Sequence, residues 1–114
     1  MEKTLFQRIA DKEIPCSLVY EDDFCVAFRD IAPAAPTHIL LVPRKPIPSI
    51  ECAAAEDAEL LAHLMLKIGD IAREQGMVEA GFRTVINSGS DGGQTVPHLH
   101  IHLLAGRSLQ WPPG

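Results

Sequence analysis

Apolar residues recur along the 114-residue chain in two rhythms. Between residues 56 and 75 the rhythm is helical. At ~100° per residue, Leu60, Leu61, Leu64, Met65, Ile68 and Ile71 fall within an arc of about 140°, with Leu66 outside it. Glu56 and Asp57 occupy the first turn, where the helix dipole favours acids, and Gly76 stands just past the last. The spacing predicts one long helix. Its stripe is wider than one sheet face needs, which leaves two readings open: a broad core face, or a face shared with a second subunit. His63 falls on the polar side and is expected to be solvated. A shorter helix is predicted near the N-terminus. There Thr4-x-x-Gln7 has the capping-box form, Phe6, Ile9 and Ala10 share a side, and Pro15 is the stop.

Elsewhere the rhythm is that of strands. Ser17–Tyr20 and Phe24–Arg29 flank the acidic turn Glu21-Asp22-Asp23 and predict a hairpin. His38 opens a continuous apolar run to Val42 that ends at Pro43, as a central strand does. Phe82–Asn87 holds the β-branched Thr84, Val85 and Ile86. Residues 88–93 form a loop by composition, and a last strand is expected from about His98 to Leu104, ended by Gly106. Helix, three strands, helix, two strands, with segregated helices and an antiparallel sheet, is an α+β order.

Composition narrows the function. One domain, residues 1–114, is expected from the length. Ten Lys+Arg against fifteen Asp+Glu give a net charge of -5, a poor match to a nucleic-acid backbone. The absence of a long apolar run and of a basic leader predicts no membrane association and a cytoplasmic protein. Cys16, Cys25 and Cys52 form no CxxC and are expected to be buried reduced thiols.

The candidate chemistry lies in Pro97-His98-Leu99-His100-Ile101-His102-Leu103-Leu104. In a strand, His98, His100 and His102 share one face and Leu99, Ile101 and Leu103 the other. Three readings compete: solvent-facing histidines, a metal site, and acid–base or nucleophilic chemistry on a phosphate. Adjacent members of the triplet would stand about 6.6 Å apart at Cα, but the outer pair about 13 Å, which strains a single zinc ion. Neutral imidazole is a good nucleophile, and its neighbours can donate to phosphate oxygens. The preceding Ser88-Gly-Ser-Asp-Gly-Gly-Gln-Thr95 has the ingredients of an anion-binding nest, or of a solvated hairpin loop.

The run His98-Leu-His-Ile-His102-Leu-Leu resembles the signature of the histidine-triad (HIT) superfamily. Lys12-Glu-Ile-Pro15, Tyr20-Glu-Asp-Asp23, Ala27-Phe-Arg-Asp-Ile31, Ala35-Pro-Thr-His38, Asp91-Gly-Gly-Gln-Thr95 and the ending Trp111-Pro-Pro-Gly114 are similar to its Hint branch. The resemblance implies an antiparallel five-stranded sheet with a short N-terminal and one long helix, dimerising into a continuous ten-stranded sheet. It implies hydrolysis of purine nucleoside phosphoramidates through a covalent nucleotidyl-histidine, with no cofactor and no metal. By position, His100 is the nucleophile, while His102 and His98 contact phosphate oxygens and the leaving group. His38 is the supporting fourth histidine. Asp30 takes the ribose hydroxyls and Ile31 the base. Asn87, Gly93, Gln94 and Thr95 lie near the phosphate, and Trp111 reaches the partner's pocket. Thr95 stands where Ser is common, and Pro97 where a non-proline is usual; proline suits a first strand residue, so His98 is expected to open the strand. Two alternatives stay open: a dinucleoside-polyphosphate hydrolase of the same superfamily, and a nucleotide sensor with vestigial catalysis.

Overall fold

The structure is a computed structural model that describes residues 2–114. Helix α1 spans Leu5–Ala10 and α2 Ala58–Glu74. The strands are β1 Leu18–Glu21, β2 Cys25–Arg29, β3 Thr37–Pro43, β4 Arg83–Val85 and β5 Ile101–Ala105. They make one antiparallel sheet in the order β1-β2-β3-β5-β4, the α+β arrangement expected.

Period-2 alternation divides the sheet into two faces. Cys25 and Ala27 of β2, Ile39 and Leu41 of β3, and Ile101, Leu103 and Ala105 of β5 face α2, which contributes Leu64, Ile71 and Ala72 to this main core. Val26, Phe28, Leu40 and Val42 face the other way, where α1 packs Phe6 and Ala10 on them. β2 from Cys25 to Phe28 and β3 from Ile39 to Val42 therefore carry apolar residues at every position, as strands covered on both sides do. Leu60, Leu61 and Ile68 of the wide α2 stripe are partly buried against the core. Met65 is 49% exposed and Leu66 73% exposed.

Several boundaries differ from expectation for identifiable reasons. The Thr4 side chain does cap α1 by accepting the Gln7 N–H at 3.0 Å, but Gln7 bonds Asp11 and completes only half of the capping box. The helix stops at Ala10 because Lys12 takes a left-handed φ of 63°, well before Pro15. A short 3-10 turn, Ala55–Asp57, precedes α2. The Asp57 carboxylate is held there by the Ala54 N–H and Lys45. Gly76 follows α2 with φ 68°, the left-handed conformation of a helix end.

Two expectations about single residues fail. His63 is half-buried and paired: its Nε2 lies 2.6 Å from Asp22 Oδ2, and its ring packs edge-on against Phe24 at 5.1 Å. Of the three free cysteines only Cys25 is buried; Cys16 and Cys52 are exposed because neither follows a buried register. Among the described residues no helix is long and apolar enough to cross a membrane.

Leu64 is wholly buried between α2 and the sheet. Leu64→Ala is expected to destabilise the fold by about 2–5 kcal/mol through lost transfer energy and a residual cavity. Equilibrium urea unfolding measures this.

Candidate active site

The register of the central strands builds the site. β3 pairs with β5 so that Leu40 opposes His102 and His38 opposes Leu104. His38 and His102 thus point to the same face on a diagonal of the ladder, within reach of each other. His38 Nε2 lies 2.8 Å from His102 Nδ1, with ring centroids 5.1 Å apart. His100 follows on the same side, its ring 5.0 Å from that of His102. Phe6 of α1 closes the row, edge-on to His100 at 4.8 Å.

Hydrogen bonds assign the tautomers, because each ring meets a partner of fixed polarity. The Ala34 N–H donates to His38 Nδ1 at 3.0 Å. A neutral His38 therefore carries its proton on Nε2 and donates it to His102 Nδ1. That leaves His102 with its own N–H on Nε2. His100 Nδ1 lies 2.7 Å from the His98 carbonyl, which only accepts, so Nδ1 carries the proton and Nε2 a bare lone pair. The row places an imidazole lone pair beside an imidazole N–H.

Two histidines of the row, His102 and His38, are held neutral in this setting. Burial pushes His102 down to about 4, helped by the neighbouring His100 and His38. Burial also lowers His38, against the opposing pull of Asp30. Asp30 lies close to this pair, its Oδ2 3.5 Å from His38 Nε2, while Oδ1 accepts the Ala32 N–H at 2.8 Å.

His98 departs from the expected placement. It precedes the strand instead of opening it, since its N–H bonds the Val96 carbonyl in a tight turn at 2.8 Å. The residue is fully buried. Its Nε2 faces the Pro43 carbonyl and its Nδ1 the Thr4 hydroxyl, both at 2.8 Å. Phe6 meets both the His98 ring, at 6.2 Å, and the His100 ring, so the three imidazoles share the α1 side of the sheet as expected; His98 differs in being wholly buried and bonded at both ring nitrogens.

A cavity of about 270 Å³ borders the row through Phe6, Leu40 and Asp30. Ile31, wholly exposed, stands at its edge together with Thr95. Leu5, Ile9, Ile14, Cys16 and Phe28 make its apolar wall. Sequence reasoning missed this wall. Its one signal was the apolar side of the first helix, which only tertiary packing directs to this place.

Asn87, Gly93 and Gln94 are engaged inside their own loop. Asn87 Nδ2 donates to the Gly92 carbonyl, and the N–H groups of Gly93 and Gln94 bond Ser90 and Gly89. The Gln94 amide donates to the Pro48 and Val96 carbonyls. A Cβ on Gly92 would lie 2.2 Å from the Ser88 carbonyl oxygen, so only glycine closes this loop. Trp111 does not line the cavity and is 81% exposed; its segment is tied to β4 by Arg83, which donates to the Leu109 and Gln110 carbonyls.

Two groups of metal-type donors stand within 4.8 Å of one another among the described residues: Asp30, His38 and His102, and Asp22, Cys25 and His63. In the first, the His38–His102 hydrogen bond occupies facing nitrogens. In the second, Asp22 accepts from Tyr20, His63 and the N–H groups of Phe24 and Cys25. Burial and the Asp22 charge push the Cys25 thiol up to about 12, so it stays protonated. This cluster anchors the β1–β2 turn to α2.

The sequence profile of the HIT domain matches residues 11–109. The chain belongs to the HIT family. Relatives of this HIT chain include an uncharacterised HIT-like protein of Synechococcus elongatus, 58% identical over 99% of this chain and 98% of that protein. The purine nucleoside phosphoramidase of Escherichia coli is 44% identical over 95% of this chain and 91% of its own length. Among solved structures, a HIT family hydrolase from Legionella pneumophila superposes with a TM-score of 0.95 at 47% identity, covering 98% of this HIT chain and 100% of its own.

The depressed values of His102 and His38 carry a stability consequence. The unfolded chain binds protons on both near the ordinary value of 6.5, whereas the folded chain resists them down to lower pH, for His102 to about 4. The unfolded state then holds more protons, so stability falls as pH drops from 6.5 towards 4. In the window from pH 6.5 to 5, above the usual carboxylate range, His102→Gln is expected to flatten that slope. Urea unfolding of both proteins across the window checks it.

Proposed function

We propose that the chain is a hydrolase of purine nucleoside phosphoramidates, working through a nucleotidyl intermediate on His100. The observation that carries this reading is the tautomer pair: a bare Nε2 on His100 beside an N–H on His102, whose ring burial keeps neutral. The named activity of the Escherichia coli relative agrees with it.

In this reading the purine and ribose enter the apolar cavity, with Ile31 against the base and Asp30 receiving the ribose hydroxyls. Thr95 offers its hydroxyl at the phosphate end of the same cavity. Asn87, Gly93 and Gln94 keep the loop in shape beside it. His100 Nε2 attacks the α-phosphorus and forms a P–N bond. The bond to the amine breaks in line, and the amine departs with a proton taken from water. His102 Nε2–H donates to a phosphate oxygen as charge builds there, and His38 holds His102 in the tautomer that can do so. Water then attacks phosphorus, releasing the nucleoside monophosphate and restoring His100; the two inversions give net retention. His98 does not touch substrate in this scheme. Arg29 lines the same cavity but donates to Gln75, so N–H donors of the row answer the phosphate charge in a chain of net charge -5.

The same reading includes a two-fold homodimer. β4 is an open sheet edge, and Met65 and Leu66 leave an apolar strip on α2 uncovered. Pairing of β4 with its symmetry mate would join two sheets into ten strands and carry Trp111 towards the partner's cavity.

His100→Ala is expected to lower the turnover of adenosine phosphoramidate by several powers of ten while nucleotide affinity changes little, because many groups hold the nucleotide and one forms the bond. Steady-state kinetics and calorimetric titration with AMP measure the two quantities. Residual turnover above about one-tenth would refute the assignment. Deleting residues 109–114 is expected to alter the ranking of amine leaving groups while the fold persists. Kinetics on a leaving-group series, beside sedimentation of the full chain, tests this; a full-length monomer would refute the dimer.

A further inference from the structure

We infer that Thr4 is a positioning residue for the His100 chemistry, acting through His98 from the far end of the chain; the inference rests on the reading of His100 as nucleophile. Thr4 Oγ1 accepts the Gln7 N–H at 3.0 Å as the cap of α1, and the same oxygen lies 2.8 Å from His98 Nδ1. On the other side of the ring, His98 Nε2 lies 2.8 Å from the Pro43 carbonyl. A carbonyl only accepts, so Nε2 carries the proton. In a neutral ring Nδ1 is then bare and must be met by a donor. The Thr4 hydroxyl is that donor, because its lone pair already receives Gln7 and its hydrogen is free to turn to His98.

The result is a directed chain, from the Gln7 N–H through the Thr4 hydroxyl and the His98 ring to the Pro43 carbonyl at the end of β3. Burial keeps the His98 ring neutral, as the chain requires. His98 is clamped at both ring nitrogens, at its own N–H by Val96, and through the next residue by the Leu99 N–H on the Ile47 carbonyl. The carbonyl of this clamped residue accepts the His100 Nδ1 proton at 2.7 Å. That bond is what leaves His100 Nε2 bare. Removing the Thr4 hydroxyl leaves a buried acceptor without a donor. The ring must then shift or change tautomer, and the carbonyl that biases His100 moves with it.

Thr4 holds two roles, and they separate experimentally. Loss of the cap alone loosens α1, whose Leu5, Phe6 and Ile9 wall the cavity, and so weakens nucleotide binding. Loss of the donor to His98 redistributes the His100 tautomers and lowers kcat at saturating substrate.

The test uses the full chain with Thr4→Ser, which keeps both roles, and Thr4→Val, which keeps the shape and loses the hydroxyl. Turnover of adenosine phosphoramidate gives kcat and KM, and nitrogen NMR of the imidazole rings reads each tautomer directly. In the wild type and Thr4→Ser, His98 should be protonated on Nε2 alone and His100 on Nδ1 alone, with kcat within about twofold of each other. Thr4→Val should mix the His100 tautomers and lower kcat at least about tenfold. A Thr4→Val protein with wild-type kcat or an unchanged His100 tautomer overturns the proposal. So does a wild-type spectrum with the His98 proton on Nδ1, a result that stands even where Thr4→Val does not fold. If the wild type fails to turn over phosphoramidates, the function is wrong, and the tautomer comparison still decides the role of Thr4.

Discussion

Everything in the candidate site depends on the pairing of β3 with β5. A slip of one residue in that antiparallel ladder would turn every side chain of one strand to the opposite face. His38 would then leave His102, and Leu40, now part of the apolar cavity, would exchange places with buried Ile39 or Leu41. The register is held by hydrophobic necessity: Ile39, Leu41, Ile101, Leu103 and Ala105 must all face α2 together. The apolar core and the histidine row are two sides of one constraint, and the chemistry rests on residues whose partners on the opposite face have no chemistry of their own.

The tautomers follow the same logic. The Asp30 carboxylate lies 3.5 Å from His38, but the hydrogen bonds that fix the tautomers are not to charged groups. Backbone groups of fixed polarity make them: the Ala34 N–H against His38 and the His98 carbonyl against His100. Peptide groups cannot change protonation state, so the direction of the proton chain is set by the fold. Burial reinforces this by keeping His38 and His102 uncharged.

Much of this was legible in the sequence. The helical arc from Leu60 to Ile71, the continuous run after His38 and the alternation around Ile101 each obey a simple period, and each became the element expected. The likeness of the histidine run to the HIT signature named the family before any geometry was known. What the sequence hid was contact made between distant segments. His98 looked like its two neighbours because alternation alone cannot show where a strand begins. The turn made by Val96 and the grip of Pro43 and Thr4 decide that its ring is buried and bonded at both nitrogens. His63 looked solvated because its partner Asp22 is in another element. The apolar wall from α1 and Cys16 was invisible because no local pattern says which cavity a short helix will cover.

The strand order has a consequence for how the molecule is made. β5 sits between β3 and β4 in the sheet, yet it is the last strand in the chain. On the ribosome, β1, β2 and β3 emerge first and can pair among themselves, but the inner edge of β3 waits for a partner 64 residues further on, the separation between His38 and His102. Until then the apolar stretch Ile39–Val42 presents unpaired backbone groups at an open edge, the feature of nascent chains that invites aggregation. Closing the sheet and completing the histidine row are therefore one late event, and a chain interrupted before β5 has neither a closed core nor a site.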